Sequence, residues 1–362
     1  MTRKISLLLV LAIGTTIACA AQEGYQISGK VNGIADGKML LVSEESGKPE
    51  TLATTMINNG VFTFKGKINQ PVAVYLTLEN GDGMIPLILE NASFMVNVSN
   101  TGALIQGGRQ QELLTRFTRI SQSFMAEQAK VAAEAQQPGA NVQALQERVN
   151  KAYEASVNAT LELIKANPDE YATAHVIALG ISGETEEGLR SKYELLGEAA
   201  RATVPGKRIA AALERYEKLA VGEIVPNFTL AKPDGNTFTL HDVPAKWKLV
   251  HFWAAHVENS RRDNAELVKL YLQYRPRGFE IISVALDNNH AMWKQAVGLD
   301  GMIWTNGSDL KGMDSEVARL YMVNDLPAYF LLDAENCVVA RDLSLPELRE
   351  KLAELTKKKR KK

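Results

Sequence analysis

The chain has 362 residues, of which 46% are hydrophobic and 23% are charged, and its formal net charge is −1 at pH 7. This length exceeds the ~100–200 residues of an ordinary domain, so we expect two domains and a connector. The balanced charge argues against nucleic acid as a partner, because nucleic-acid-binding surfaces are strongly basic.

The first twenty residues have the three parts of a secretory signal peptide. Two basic residues precede an apolar stretch, and Ala18, Cys19 and Ala20 follow it. The stretch is shorter than the ~20 residues that a membrane-spanning helix needs. Residues 1–20 are therefore predicted to be a signal peptide removed after Ala20, which places the protein in the periplasm or cell envelope. In the alternative interpretation, Cys19 is the acylated residue of a lipoprotein signal and attaches the chain to a membrane, such as the outer membrane.

Cysteine usage argues against thiol chemistry in the mature chain. The sequence has two cysteines, Cys19 and Cys337. Because Cys19 lies in the predicted signal segment, no disulfide is expected within the folded region. We also expect no cofactor and no bound metal.

Residues 24–107 predict a small antiparallel β-sandwich. Polar and apolar residues alternate with a period of two, as in strands with one buried face. Asn59 and Gly60 are typical of the tight turn of a β-hairpin. The predicted strands are Tyr25–Val31, Lys38–Val42, Val61–Gly66, Val72–Leu78 and Ser93–Val98.

Residues 108–220 are rich in strong helix formers and predict a helical connector. Pro138 and Gly139 break it into a hairpin of two long helices, and Asn167-Pro168-Asp169 is predicted to start another helix. His175 lies on an apolar helical face with no second ligand three or four residues away. A buried, hydrogen-bonded histidine is therefore predicted there, and not a metal ligand.

Residues 221–355 alternate strand and helix patterns and predict an α/β domain. The predicted elements are the strand Lys248–Trp253, the helix Ser260–Tyr274, the strands Glu280–Leu286, Ala328–Leu332 and Cys337–Ala340, and the helix Leu345–Leu355. The first three form a βαβ unit, which implies parallel strands. The basic residues 356–362 are predicted to be a solvated tail.

Short patterns in both halves of the chain match known families. In the first half these are Ile27-x-Gly29-x-Val31, Asn59-Gly60-x-Phe62-x-Phe64-x-Gly66 and Leu89-Glu90-Asn91. They resemble a module of unknown function that precedes thioredoxin-like domains in bacterial envelope proteins.

The second half carries a longer series of matching residues. They are Gly222-x-x-x-Pro226-x-Phe228-x-Leu230, Gly235, Leu240, Phe252-Trp253-Ala254, Arg261, Gly278-Phe279-Glu280, Leu286-Asp287 and Leu326-Pro327-x-x-Phe330-Leu331-Leu332-Asp333. In order and spacing they resemble the thioredoxin-like envelope proteins related to the TlpA and ResA thiol reductases. The resemblance implies a thioredoxin-like fold for residues 221–355.

The reactive cysteine pair of that family is absent. The resemblance places the two cysteines at Val257 and Ser260, with Glu258 and Asn259 between them. His256 stands where the family usually has an aromatic residue. Thiol exchange needs a thiolate that attacks a disulfide and a second thiol that displaces it. Because valine cannot ionise and serine cannot form a disulfide, no catalytic residue is assigned.

The resemblance also implies a peptide-docking face. Pro327 corresponds to a cis-proline that faces the cysteine pair and presents its neighbouring backbone to an extended substrate. We therefore predict that a protein or peptide partner binds against Trp253, His256, Arg261, Leu326 and Pro327.

The helix that follows the cysteine positions offers a second kind of site. Asn259 or Ser260 is predicted to be its N-cap, with Asp263 completing a capping network. The alternative is a bound carboxylate, phosphate or peptide group beside Arg261 or Arg262, because a helix N-terminus favours anions.

Two enzymatic alternatives have weaker support. A Ser260 nucleophile with a His256 base lacks a third orienting group. A metal site from His256, Glu258 and Asp263 has a single histidine, whereas zinc sites need three or four convergent ligands. Cys337 is expected roughly 15–20 Å from this end of the sheet, so it does not replace the lost pair.

The sequence therefore predicts an exported, redox-inactive thioredoxin-like protein that binds a peptide or protein partner. One alternative is a thiol-disulfide oxidoreductase that acts with cysteines from a partner chain. Another is a structural envelope scaffold.

Overall fold

The computed structural model describes residues 23–81, 83–100 and 102–357. The chain divides into two compact units, residues 1–156 and residues 157–362. The predicted signal segment, Cys19 included, lies outside the described residues, as do the last five residues of the basic tail. Within the described part, no helix is long and apolar enough to cross a membrane.

Eight strands form the first unit. They are β1 (Tyr25–Val31), β2 (Gly37–Ser43), β3 (Glu50–Ile57), β4 (Val61–Gly66), β5 (Val72–Leu78), β6 (Met84–Leu89), β7 (Ser93–Ser99) and β8 (Gly102–Gln106). Two four-stranded sheets result, in the orders β4-β1-β7-β8 and β3-β2-β5-β6. Ile27 and Phe94 from one sheet share an apolar core with Leu41 and Leu76 from the other. The predicted β-sandwich is confirmed.

The sandwich is mixed and not antiparallel throughout. β1 pairs with β7 in parallel, whereas β1 and β4 and the remaining neighbours run antiparallel. The antiparallel prediction is therefore wrong for this one pair. Period-two alternation indicates which face of a strand is buried, but it does not indicate whether the neighbouring strand runs parallel or antiparallel.

A tight turn at Asn59 and Gly60 carries the chain from β3 in one sheet to β4 in the other. Both residues have positive φ, 50° and 76°. These angles are those of a type I′ turn, which asparagine and glycine adopt at low cost. The predicted turn is confirmed.

Sequence alternation did not predict β3, β6 and β8, which all lie at sheet edges. β3 and β8 expose most of their side chains, and β6 contains Pro86. An edge strand tolerates proline and exposed residues, because one of its sides makes no ladder hydrogen bonds. Its hydrophobic pattern is correspondingly weak.

Two long helices follow the sandwich, as predicted. α1 (Arg109–Ala135) and α2 (Val142–Ala166) are joined by a connection that contains Pro138 and Gly139. Arg148 on α2 donates to Glu134 and Glu127 on α1, at 2.6 and 2.7 Å. These ion pairs link the two helices of the hairpin.

Four shorter helices open the second unit. They are α3 (Tyr171–Leu179), α4 (Glu186–Glu194), α5 (Glu198–Ala202) and α6 (Val204–Glu217). α3 begins just beyond the predicted start at Asn167-Pro168-Asp169, after an extended Glu170. His175 is half-buried, less than predicted, and stacks on Tyr171 with 5.9 Å between ring centroids. Burial lowers the pKa of His175 to about 4.

The rest of the second unit is an α/β sandwich. Its strands are β9 (Thr229–Ala231), β10 (Thr237–Thr239), β11 (Trp247–Trp253), β12 (Phe279–Ala285), β13 (Thr305–Gly307), β14 (Ala328–Leu332) and β15 (Val338–Arg341). Its helices are α7 (Glu258–Tyr274), α8 (His290–Leu299), α9 (Glu316–Leu320) and α10 (Leu345–Leu355). The second unit also has four short 3-10 turns among its described residues: Ile181–Gly183, between α3 and α4, and Leu240–Asp242, Arg275–Arg277 and Gly312–Asp314. The main sheet has the order β13-β12-β11-β14-β15, and β11 and β12 are parallel, as predicted.

Alternate residues of the central strand β11 enter two different cores. Val250 and Phe252 pack in one apolar cluster, whereas Leu249 and Trp253 pack in another with residues of α7 and α10. Because successive side chains of a strand point to opposite faces, both faces of this sheet are covered.

The topology brings the predicted site residues to one end of the sheet. β11 ends at Trp253, and α7 begins five residues later at Glu258. In the neighbouring strand, Ala328 pairs with Phe252, so Pro327 lies beside the end of β11. The Leu326–Pro327 peptide bond is cis, as predicted.

Candidate functional site

A buried carboxylate holds the start of the segment that the resemblance aligns with the cysteine pair of the family. The backbone N–H of Ala255 lies 3.1 Å from both carboxylate oxygens of Asp287, which follows β12. Asp287 is 4% exposed, and burial raises the pKa of its carboxyl, although the Ala255 N–H and His256 oppose this rise. The segment is therefore anchored at the backbone, independently of the side chains at the former cysteine positions.

Helix α7 begins earlier than the sequence predicts. Its N-cap is Val257, which has an extended backbone and no side-chain capping bond. The predicted N-cap role of Asn259 or Ser260 is thus wrong, because both residues lie inside the first turn. Ser260 is fully buried, with its Oγ 3.5 Å from the N–H of Ala254.

Asp263 takes no part in capping. Its carboxylate accepts a hydrogen bond from the Tyr329 hydroxyl at 2.8 Å, and Arg262 Nε lies 3.9 Å away. Arg262 also donates to Asn259 at 3.0 Å. The predicted capping network is replaced by a contact between α7 and β14.

Arg261 is engaged within the fold and is not a free binding residue. Its guanidinium donates two bonds of 2.6 Å to the Asp300 carboxylate and a longer one of 3.4 Å to the Ala255 carbonyl. Asn264 donates to the same carboxylate at 2.7 Å. The hydrogen bonds that Arg261 donates to Asp300 are the main cause of the raised pKa of Arg261. The predicted role of Arg261 in partner binding stays a prediction, and its side chain, 33% exposed, would have to serve it while paired with Asp300.

Trp253 also lies outside any accessible face. The residue is 0% exposed and packs in the core beneath α7. Its predicted contact with a partner is wrong, because the final position of β11 points into the sandwich. By contrast, His256 is exposed, and Leu326 and Pro327 are half-buried.

The structure gives the enzymatic alternatives no reacting geometry. His256 Nδ1 lies 3.6 Å from Asp287, whereas the Ser260 hydroxyl is buried beside Ala254. Within the described residues, no cluster of three histidine, cysteine or acidic side chains could hold a metal ion. The Glu258 side chain is exposed at the start of α7.

Cys337 lies beyond the opposite end of β14 from Pro327. It is half-buried, and its N–H donates to Asp333 at 2.8 Å in the turn before β15. Burial and nearby acidic residues raise the pKa of the Cys337 thiol. A thiol with a raised pKa is a poor nucleophile at neutral pH.

One buried polar cluster near the site was not predicted. His251 is fully buried and stacks against Tyr329 and Trp253, with ring centroids 5.3 and 6.4 Å apart. Its Nδ1 lies 3.0 Å from the Ser283 hydroxyl, which accepts a 2.8 Å bond from Trp304. Burial lowers the pKa of His251 to about 3. The only sequence signal was the position of His251 within an otherwise apolar buried strand.

Two regions of the chain match known protein families. Residues 221–341 match the AhpC/TSA family, and residues 25–114 match a domain of unknown function, DUF4369. The C-terminal region is thus a thioredoxin-like domain of the AhpC/TSA type, behind a module of unknown function.

The relatives of this domain carry the name of a thiol-disulfide oxidoreductase. The chain is 27% identical over 144 residues to ResA of Bacillus thuringiensis subsp. konkukian, covering 40% of this chain and 81% of the relative. ResA of Bacillus subtilis is 25% identical over 123 residues, or 34% and 67% of the two chains.

Similar solved structures include the thioredoxin domain of a thiol-disulfide oxidoreductase from Bacteroides vulgatus. It is 29% identical, covers 38% of this chain and 99% of its own, and has a TM-score of 0.36. A thioredoxin-like protein from Bacteroides caccae is 16% identical, covers 58% and 84%, and has a TM-score of 0.39.

The Arg261–Asp300 pair leads to a stability prediction. Asp300→Asn removes the charge and one acceptor from Arg261, so we expect the free energy of unfolding to fall by about 1–3 kcal/mol. The matched control is Arg262→Met, where the exposed neighbour should change it by less than about 0.5 kcal/mol. Urea unfolding followed by tryptophan fluorescence measures both, because all four tryptophans lie in the C-terminal domain. Equal effects of the two variants would contradict the assignment.

His251 leads to a pH prediction. The unfolded chain binds a proton at this residue below its ordinary pKa of 6.5, whereas the folded chain does so only near pH 3. His251 therefore makes stability fall as pH falls between these values, by at most about 1.4 kcal/mol per pH unit. His251→Phe should flatten the curve of unfolding free energy against pH, and the exposed control His290→Phe should leave its slope unchanged. A slope unaffected by His251→Phe would refute the prediction.

Proposed function

We propose that the C-terminal domain is a redox-inactive thioredoxin-like domain that binds an extended segment of a partner protein. The observation that carries the proposal is the pair of residues at the former cysteine positions. Val257 caps α7, and Ser260 is fully buried in its first turn. Neither side chain can form or break a disulfide.

No other thiol in the described chain compensates for this loss. Cys337 lies at the far end of β14, with its thiol pKa raised. The alternative enzyme needs two cysteines from a partner chain, and no observation favours it over the binding proposal. The oxidoreductase names of the relatives thus describe an activity whose reacting atoms this chain lacks.

We define the docking face as His256, Val257, Glu258 and Asn259 together with Leu326 and Pro327. Residues 256–259 follow the end of β11 and residues 326–327 precede the start of β14. Because β11 and β14 are antiparallel neighbours, both segments lie at the same end of the sheet. His256, Glu258 and Asn259 are exposed, and Val257, Leu326 and Pro327 are half-buried. An exposed polar rim around half-buried apolar residues suits a peptide with alternating side chains.

The start of α7 favours a neutral backbone acceptor over an anion. Val257 provides no side-chain cap for the first-turn N–H groups. Arg261 is committed to Asp300, and the first turn of the helix already contains one acidic residue, Glu258. A peptide carbonyl can accept from the free N–H groups without adding a second negative charge.

We propose that the chain acts in the cell envelope. The support is the secretory pattern of residues 1–20, in which a basic start, an apolar stretch and Ala18-Cys19-Ala20 follow one another. Acylation of Cys19 would add membrane attachment, and the structural-scaffold alternative differs only in having no partner at the docking face.

Introducing cysteines at positions 257 and 260 tests redox inactivity. The wild-type chain should show no turnover in insulin reduction, whereas Val257→Cys/Ser260→Cys should gain it. Residues three apart on a helix are close enough for a disulfide, and the domain retains the helix N-terminus that lowers a thiol pKa. The control is Val257→Cys alone, which lacks a resolving thiol and should stay inactive. Turnover by the wild-type chain would overturn the proposal.

Photo-crosslinking tests the docking face. A photoreactive residue at Glu258 should capture one dominant protein in cells that express the chain. The same substitution at Glu335 is the matched control, because this exposed glutamate lies in the turn at the opposite end of β14. Leu326→Arg should reduce the Glu258 adduct at least fivefold by placing a charge on the half-buried part of the face. Equal capture from both positions would support the scaffold alternative.

A further inference from the structure

The N-terminal sandwich contains a groove that the proposed function does not use. Its volume is about 680 Å³, and its walls are the edge strands β6 and β8, which belong to different sheets, and one side of α1. This volume lies within the ~300–1,000 Å³ of small-molecule sites in proteins. The groove lies wholly within the first compact unit.

The α1 side of the groove offers few unmet polar groups. The Thr115 and Thr118 hydroxyls donate to carbonyls of their own helix, both at 2.9 Å. The Gln111 side chain accepts from the Ile88 N–H of β6, also at 2.9 Å. A polar ligand group placed there would lose its water without gaining a partner. The buried part of a ligand must therefore be apolar.

Large apolar side chains also lie exposed at the rim. Met84 on β6 is 60% exposed and Leu104 on β8 is 59% exposed, and both line the groove. Their contact with water is unfavourable, and a flexible methionine adapts to an irregular apolar chain. The groove thus gains free energy when an alkyl chain covers these side chains.

A single charged residue, Arg119, is among the 22 lining residues. It lies on α1 beyond Thr115 and Thr118, and it is exposed. Within the described residues, no carboxylate pairs with its guanidinium. An anionic group at this position gains a charge-assisted hydrogen bond, which a neutral group does not.

From the apolar groove and the single exposed cation that lines it, we infer that the N-terminal sandwich binds one fatty acid. The alkyl chain occupies the groove between β6, β8 and α1, and the carboxylate contacts Arg119. This site is separate from the docking face, so it stands or falls independently of the proposed function.

Displacement of a fluorescent fatty acid from the full chain tests this inference. The probe is cis-parinaric acid, and the competitors are laurate and dodecanol, which share an alkyl chain and differ in the head group. The wild-type chain should bind about one probe per molecule and prefer laurate over dodecanol by roughly three- to fivefold. Arg119→Gln should abolish this preference and leave the affinity for dodecanol unchanged.

Two further variants distinguish the contribution of the head group to binding from that of the apolar groove. Arg116→Gln is the matched control, because Arg116 is an exposed arginine of the same helix that does not line the groove, and it should keep the preference. Leu104→Glu should weaken the binding of laurate and of dodecanol at least fivefold. Circular dichroism checks that this variant keeps its fold.

Three results would overturn the inference. The first is the absence of saturable probe binding, and the second is an equal effect of Arg119→Gln and Arg116→Gln. The third is a ligand-free dimer in sedimentation analysis that Leu104→Glu dissociates, since the groove would then be covered by a second copy of the chain.

Discussion

The covering of both faces of the central strand β11 is the constraint on which the C-terminal domain depends. Every side chain from Lys248 to Ala254 is buried, and alternate residues enter separate cores. Such a strand has no freedom to shift by one residue, because a shift would exchange the two faces. The end of β11 is therefore fixed, and with it the start of α7 and the position of Pro327.

The sequence predicted those parts of the fold in which burial produces a regular pattern. β11, β12 and β14 are apolar runs, and the final helix over Leu345–Leu355 was predicted at its observed bounds. The edge strands β3 and β8 were missed because they bury little, and β6 because it contains Pro86. The parallel β1–β7 pair was missed because alternation says nothing about strand direction. Local sequence patterns thus predict where strands and helices lie better than they predict which strands pair and in which direction.

The residues of the proposed docking face were placed only in part by the sequence, because a motif gives the order of residues and not the direction of their side chains. His256 and Pro327 lie at the expected end of the sheet, whereas Trp253 points into the core. Asn259 and Ser260 are favoured N-caps in general, but the anchoring of Ala255 on Asp287 begins the helix earlier, at Glu258. The pairing of Arg261 with Asp300 could not be predicted, because the two residues lie 39 positions apart in the sequence.

Under the proposed function, the anchoring of Ala255 on Asp287 has a consequence for how a bound partner is released. In a dithiol protein, a change of oxidation state alters the covalent bonding at the docking face and commits or frees the client. Here the segment has one covalent state, held by backbone contacts. Under the proposed function, occupancy of the docking face is therefore set by mass action alone, through the concentration of the partner and its dissociation constant.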